Sequence, residues 1–284
     1  MKFMSYAAKG ARGLAVETDD GFRGMRVSDP RYPGNLKVLI AEDRLADGAA
    51  ILAEGSVIDP EAVTVLPPIP DPQKIICIGL NYRDHAAESG MALPDYPAIF
   101  ARFATTLVGH GQPLLRPRQS DRFDYEGELA VIIGRGGRHI PEEAALDAVA
   151  GYSIFNDASV RDYQMKSPQW TAGKNFDATG AFGPLLATAD SLPPGCAGAH
   201  LRTVLNGQVV QDGLIDDMVF PVARLIAILS ELMTLKPGDI IITGTPAGVG
   251  MARQPRLWMK PGDSVSISID GIGTLTSPVA DAPT

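Results

Sequence analysis

Glu126 and Glu128 stand two residues apart in DYEGELAVIIG (124–134), a stretch that otherwise reads as a buried β-strand. Side chains alternate along a strand, so the two carboxylates share a face with Ala130 and Ile132. Like charges side by side in a low dielectric raise one another's pKa or require a cation. A third carboxylate, Asp157, ends a second apolar run in GYSIFNDASVRD (151–162). Three hard oxygen donors with no nearby His or Cys suit Mg²⁺ or Mn²⁺ better than zinc, leaving other coordination positions to water and substrate. Plainer readings exist: a solvent-facing edge strand for the glutamates and a helix cap for Asp157. The unbroken apolar sequence from Leu129 to Ile133 speaks against the edge, because it is what a strand covered on both faces requires.

A second group lies in NYRDHAAES (81–89). If residues 83–89 are helical, His85 and Glu88 are three apart and share a face. A carboxylate beside an imidazole fixes its tautomer and raises its basicity, a common way to activate water. The alternative is a surface His–Glu pair. Gly79 and Gly90 bracket the segment and would let it move as a lid. His110, His139 and His200 lie in turn-like contexts without acidic neighbours and read as structural or surface residues. Lys174, between aromatic and glycine residues in WTAGKNFDATGAFGP (170–184), would be partly desolvated and aimed at an anion; a surface lysine is the competing reading. The segment TGTPAGVG (243–250) offers backbone N–H groups for a carboxylate and the Thr245 hydroxyl as a further donor. It is neither a P-loop nor a GxGxxG fingerprint, and no GxSxG elbow occurs in the chain.

The elements that must position these residues follow from pattern and composition. The chain has 284 residues, 45% hydrophobic and 20% charged, with 30 Gly and 23 Pro, a composition that suits a globular protein rich in turns and strands. A net charge of −8 argues against nucleic acid as a partner, so any affinity for an anion must be local. Two cysteines and no CxxC argue against a redox pair or a cysteine zinc site. No apolar run is long enough for a membrane span, and the N-terminus turns polar too soon for a signal peptide, so a cytoplasmic location is expected.

Residues 1–70 read as a small N-terminal α/β accessory domain, with strands in MKFMSYA, GLAVET and FRGMRV and a helix over 35–46. The proline-rich LPPIPDPQ (66–73) reads as a linker, and residues 71–284 as the catalytic domain. There KIICIG (74–79) is a buried strand, and PEEAALDAVAGY (141–152) reads as a helix with Pro141 at its start, closed by Gly151. LRTVLNGQVVQDG (201–213) is a hairpin turning at Asn206-Gly207. VARLIAILSELMTL (222–235) is a packing helix with Leu225, Ile228, Leu229 and Leu232 at helical spacing. Two Lys-Pro-Gly-Asp turns each launch a strand, and Asp270-Gly271 closes another hairpin. The fold class is α+β with a sheet-rich core.

In order along the chain, GLNYRDHAAE (79–88), DYEGELAVIIG (124–134), NDASVRDYQ (156–164), GKNFD (173–177), ITGTPAGVG (242–250) and KPGDSVSISIDGIGTLTSPV (260–279) resemble the fumarylacetoacetate hydrolase family. The His-x-x-Glu spacing is similar to its acylpyruvate hydrolase branch. The resemblance implies a mixed β-sheet roll, usually homodimeric. It implies Glu126, Glu128 and Asp157 as ligands of Mg²⁺ or Mn²⁺, and His85 and Glu88 as a water-activating dyad. Lys174 would stabilise negative charge, and Arg161, Gln164 and Thr245 would line or support the substrate pocket. Arg102 stands where many members carry lysine and is expected near the substrate. The implied reaction is hydrolysis of a C–C bond in a small anionic 2,4-dioxo acid, an acylpyruvate or diketo sugar acid, through a metal-stabilised enolate. A 2-oxo acid decarboxylase, hydratase or isomerase is the alternative on the same scaffold, and a non-catalytic metal or 2-oxo acid binding protein a third reading.

Overall fold

Gly127–Ile133, the strand that carries Glu128, lies inside a twelve-stranded mixed sheet and is buried along its whole length. The computed structural model describes residues 1–88, 90 and 92–283. Val149–Asp157 pairs with this strand on one side and Ile240–Ile242 on the other, both antiparallel. Leu129, Val131 and Ile133 point into one hydrophobic core, Ala130 and Ile132 into another. The sheet is therefore covered on both faces, which removes the edge-strand reading of the glutamates.

Along the sheet, Gly180–Thr188 follows Val149–Asp157, and Ile75–Gly79 and Ala98–Arg102 follow Ile240–Ile242. Ile240–Ile242 and Ile75–Gly79 run parallel. Lys2–Ala8 pairs with Gly180–Thr188, so the N-terminal strands Lys2–Ala8, Ala11–Thr18 and Gly21–Arg26 continue this sheet. A second sheet of five strands contains the hairpin His200–Leu205 and Gln208–Leu214, in which Asn206 and Gly207 both adopt positive φ at the expected turn. The two Lys-Pro-Gly-Asp turns share one device: Asp239 and Asp263 each accept the amide of the lysine three residues before. The α+β, sheet-dominated class is the one the sequence indicates.

Two element assignments change. The helix over 35–46 is two helices, Leu36–Ala41 and Leu45–Ala53, broken at Asp43, whose φ is +55°. The helix expected over 141–152 is a 3₁₀ segment, Glu142–Ala148, running into the strand Val149–Asp157. Gly151 is no helix terminator: a Cβ there would lie 2.3 Å from the carbonyl oxygen of Ala187 on the next strand. The glycine lets two strands approach, and pairing on both sides overrides a helical pattern. Val222–Leu232 is the expected helix, with Leu225, Ile228 and Leu229 buried, but Leu232 is half exposed at its end.

Arg83–Glu88 is helical, as the His85–Glu88 spacing predicts; Ser89, included in that expectation, lies outside the described residues. The turn before this helix is held by Asn81, which is fully buried. Its amide donates to the carbonyls of Phe220 (3.1 Å) and Thr243 (2.7 Å) and accepts from the Phe220 amide (2.8 Å). Asn81→Leu would leave all three backbone groups unpaired. We expect a loss of about 3 kcal/mol, read as a lower urea midpoint at unchanged slope; an unmoved midpoint would contradict this assignment.

Candidate metal centre

Glu126 lies in the short gap between the strands Phe123–Asp124 and Gly127–Ile133, Glu128 in the second of them, and Asp157 at the end of the neighbouring strand. Glu128 pairs with Phe155, and the Asp157 amide bonds the Glu126 carbonyl at 2.9 Å. This register converts an i, i+2 pair and a distant aspartate into one cluster. One oxygen from each carboxylate lies within 4.8 Å of the others, and all three residues are buried.

Cations surround two of the three. Lys174 Nζ lies 2.5 Å from Glu126 and 2.6 Å from Asp157. Arg161 lies 2.6 Å from Glu126 and 2.8 Å from Asp124, and Arg102 contacts Asp157. Glu128 has no ion-pair partner among the described residues; the amide of Gly244 donates to it at 2.5 Å. Burial, then the neighbouring Asp157 and Glu126, push its carboxyl well above the usual range. Burial opposes ionisation of Glu126 too, but Arg161 and Lys174 prevail and bring it down to about 2. Burial likewise works against the Lys174 charge, yet Asp157 and Glu126 hold its pKa above the ordinary lysine value. A buried carboxylate without a cation, beside two others, is the donor set a hard divalent ion fits.

The pH dependence follows from these directions. Between the ordinary glutamate pKa and its raised value, the folded chain retains a proton on Glu128 that the unfolded chain gives up. The stability this contributes is full below the ordinary glutamate pKa and is lost as pH rises through the raised value. Glu126 acts oppositely: its contribution is present above the ordinary value and is lost as pH falls towards about 2. An ion replacing the Glu128 proton cancels the loss at high pH. The Mn²⁺-induced rise in melting temperature should therefore be larger, by about 4 °C or more, at pH 8 than at pH 5.5. Scanning fluorimetry at both pH values checks this; in Glu128→Gln the difference should vanish, and an equal rise in the parent chain at both pH values would count against the displacement.

A cavity of about 240 Å³ opens onto the cluster, slightly below the ~300–1,000 Å³ usual for ligand sites. His85, Lys174, Glu126, Glu128, Asp157, Arg161, Gln164 and Thr245 line it, so eight of the ten residues singled out in the sequence converge. The other two stand one residue behind. Glu88 accepts from the Gly248 amide with one oxygen (2.8 Å), while its other oxygen lies 3.1 Å from His85 Nδ1. Arg102, expected at the substrate, does not line the cavity: its guanidinium also bonds Thr179 and Thr106 and is fully buried. The Thr245 hydroxyl donates to the Gly127 carbonyl (2.9 Å) and accepts from Gln211 (2.8 Å), so it splints the Gly-rich loop to the metal-site strand. The helix of His85 is pinned to the same loop, through Glu88 and through Asp84, which accepts the Ala247 amide at 3.2 Å.

Sequence reasoning missed Asp124. It is fully buried, takes Arg161 Nε, and accepts the amides of Gly250 (2.7 Å) and Met251 (2.9 Å). The signal was available, since Asp124, Glu126 and Glu128 share one parity. The aromatic wall of Phe100 and Trp170, packed edge to face at 5.5 Å, had no sequence signal beyond residue type.

A family model described as fumarylacetoacetate (FAA) hydrolase C-terminal matches residues 74–280. Over 273 residues the chain is 38% identical to oxaloacetate tautomerase fahd2, mitochondrial, of Xenopus laevis, covering 94% of this chain and 85% of that protein. The solved structure of the fumarylacetoacetate hydrolase from Exiguobacterium antarcticum is similar with a TM-score of 0.84 and 33% identity, over 99% of this chain and 100% of that one. Maleylpyruvate hydrolase from Sphingobium sp. SYK-6, in complex with manganese(II) and pyruvate, matches over 100% of both chains with a TM-score of 0.82 and 27% identity.

Proposed function

Because the chain belongs to the fumarylacetoacetate hydrolase family, we propose that it interconverts the keto and enol forms of a small 2-oxo acid at a divalent ion. The observation that carries this reading is His85, oriented by Glu88, in the same cavity as the three carboxylates. The tautomerase named in Xenopus laevis, which shares almost the whole length of this chain, supports it.

Glu126, Glu128 and Asp157 would hold Mg²⁺ or Mn²⁺, which when bound supplies Lewis-acid stabilisation of negative charge on the substrate oxygens. Lys174 keeps a positive charge beside Glu126 and Asp157 and would contribute to the same stabilisation. Glu88 accepts the Nδ1 proton of His85, which leaves Nε2 without one. That nitrogen takes a proton from the carbon next to the 2-oxo group and returns it to oxygen, or the reverse. Asp124 and Gln164 hold Arg161, and Arg161 holds Glu126 in place.

Hydrolysis of a 2,4-dioxo acid is the second reading, favoured by the same dyad acting on water and by the likeness to maleylpyruvate hydrolase. Two assays of the Mn²⁺-loaded chain separate them: decay of enol absorbance for 2-oxo acids, and pyruvate release from acylpyruvates. Accelerated ketonisation without pyruvate release supports tautomerisation, and the converse replaces it with hydrolysis. Mn²⁺ binding with neither activity would leave the non-catalytic reading. A homodimer belongs to the same proposal, checked by light scattering. Among the described residues no helix is long and apolar enough to cross a membrane.

A further inference from the structure

The helix of His85 and the strand of Glu128 are tied to the same Gly-rich loop. On the helix side, the amides of Ala247 and Gly248 donate to Asp84 and Glu88. On the strand side, Thr245 bonds the Gly127 carbonyl, and Asp124 accepts the amides of Gly250 and Met251. Gly248 stands between these anchors. Its φ of +104° lies in a region that glycine enters freely, so its own backbone does little to fix the peptides on either side of it. Packing forbids a larger residue there, since a Cβ would lie 2.1 Å from the Val210 carbonyl oxygen.

The Gly248 carbonyl is held by two further donors. The Tyr125 hydroxyl reaches it at 3.0 Å and Arg253 Nε at 3.0 Å, while the same guanidinium bonds the Val210 carbonyl. Tyr125 is fully buried, and its ring packs in the core that holds Leu129 and Val131. It is also the residue next to Glu126. An unbroken path therefore runs from the metal-site segment through Tyr125 to Gly248 (3.0 Å), from Gly248 to Glu88 (2.8 Å), and from Glu88 to His85 (3.1 Å). Tyr125 and Arg253 do not line the cavity, so neither acts on a substrate atom directly.

We infer that Tyr125, with Arg253 beside it, is a positioning residue: by holding Gly248 it keeps Glu88 set against His85, and so keeps the base in register with the metal-site strand. This rests on the reading of His85 and Glu88 as the proton-transfer pair. Each Glu88 oxygen has its own partner, one the imidazole and the other the Gly248 amide. Once Gly248 can turn, that amide no longer fixes the carboxylate, and the carboxylate no longer fixes the ring. Small displacements of a catalytic group are costly in rate.

Tyr125→Phe removes one hydroxyl and keeps the ring in the core. In the Mn²⁺-loaded protein its kcat should fall by about tenfold, for whichever of the two reactions the chain catalyses, while KM and the calorimetric Mn²⁺ affinity stay within about twofold. In a Glu88→Gln background the same substitution should lower kcat no further, because the link it breaks is already lost. A hydroxyl that merely stiffened the fold would cost the same factor in both backgrounds. In the metal-free protein, NMR should find the Gly248 amide exchanging with deuterium at least about tenfold faster in Tyr125→Phe. Arg253→Met removes the second donor to the same carbonyl from a partly exposed position, and it takes the place of Tyr125→Phe in every arm should that variant not fold. An unchanged kcat, an unchanged exchange rate, or an equal loss with and without Glu88 overturns the inference and leaves the dyad intact. Turnover like the parent in both His85→Asn and Glu88→Gln overturns the dyad reading and the inference with it, as does the absence of both activities from the parent chain.

Discussion

Glu126→Gln should lower kcat/KM by about a thousandfold, equivalent to about 4 kcal/mol of transition-state stabilisation, and weaken Mn²⁺ binding in parallel. The substitution keeps volume and one acceptor but removes the charge that Arg161 and Lys174 hold in place. Both cations keep another carboxylate, Asp124 for Arg161 and Asp157 for Lys174, so neither is stranded and the fold should survive. The glutamine is neutral, so the cluster offers a divalent ion one anionic donor fewer. Calorimetric Mn²⁺ titration beside steady-state kinetics reads both effects, and a single cooperative urea transition shows that the variant is folded, at a lower midpoint than the parent because the ionised Glu126 no longer contributes. Undiminished metal binding and turnover in this variant would remove the three-carboxylate centre from the account.

The centre was legible because it depends on strand parity, which is a local property. Glu126 and Glu128 announce a shared face, and Ala130 and Ile132 show that the face is buried. Asp157 needed more than parity: the register of Val149–Asp157 against Gly127–Ile133 brings it alongside, and register is set by pairing across the sheet. Arg102 shows the limit from the other side. Its charge could be read, but the depth at which it lies depends on Thr106, Thr179 and the Asp157 carboxylate, which come from three separate segments. The 141–152 segment failed for the same physical reason, since acids after a proline favour a helix start only until two neighbouring strands compete for the backbone. Thr245 is expected to donate a hydrogen bond and to line or support the substrate pocket; it lines the cavity, and its hydroxyl ties Gly127 to Gln211, a connection that no spacing within 243–250 can reveal.

Replacing His85 should separate proton transfer from metal binding. His85 lines the cavity but makes no ion pair with Glu126, Glu128 or Asp157; its bonded partner is Glu88. His85→Asn keeps a polar side chain of smaller size on the same helix and removes the basic ring nitrogen. A positioned general base contributes roughly 10²- to 10⁴-fold, so kcat should fall by about that factor while Mn²⁺ affinity stays within about twofold of the parent. Glu88→Gln tests the orienting half of the pair. It leaves the imidazole in the cavity but replaces the carboxylate that fixes its tautomer, and it weakens the bond to the Gly248 amide. Its kcat should fall less than that of His85→Asn. If both variants turned over like the parent while Glu126→Gln did not, proton transfer would have to be assigned to another group in the cavity, and Lys174, buried between two carboxylates, would be the next to replace.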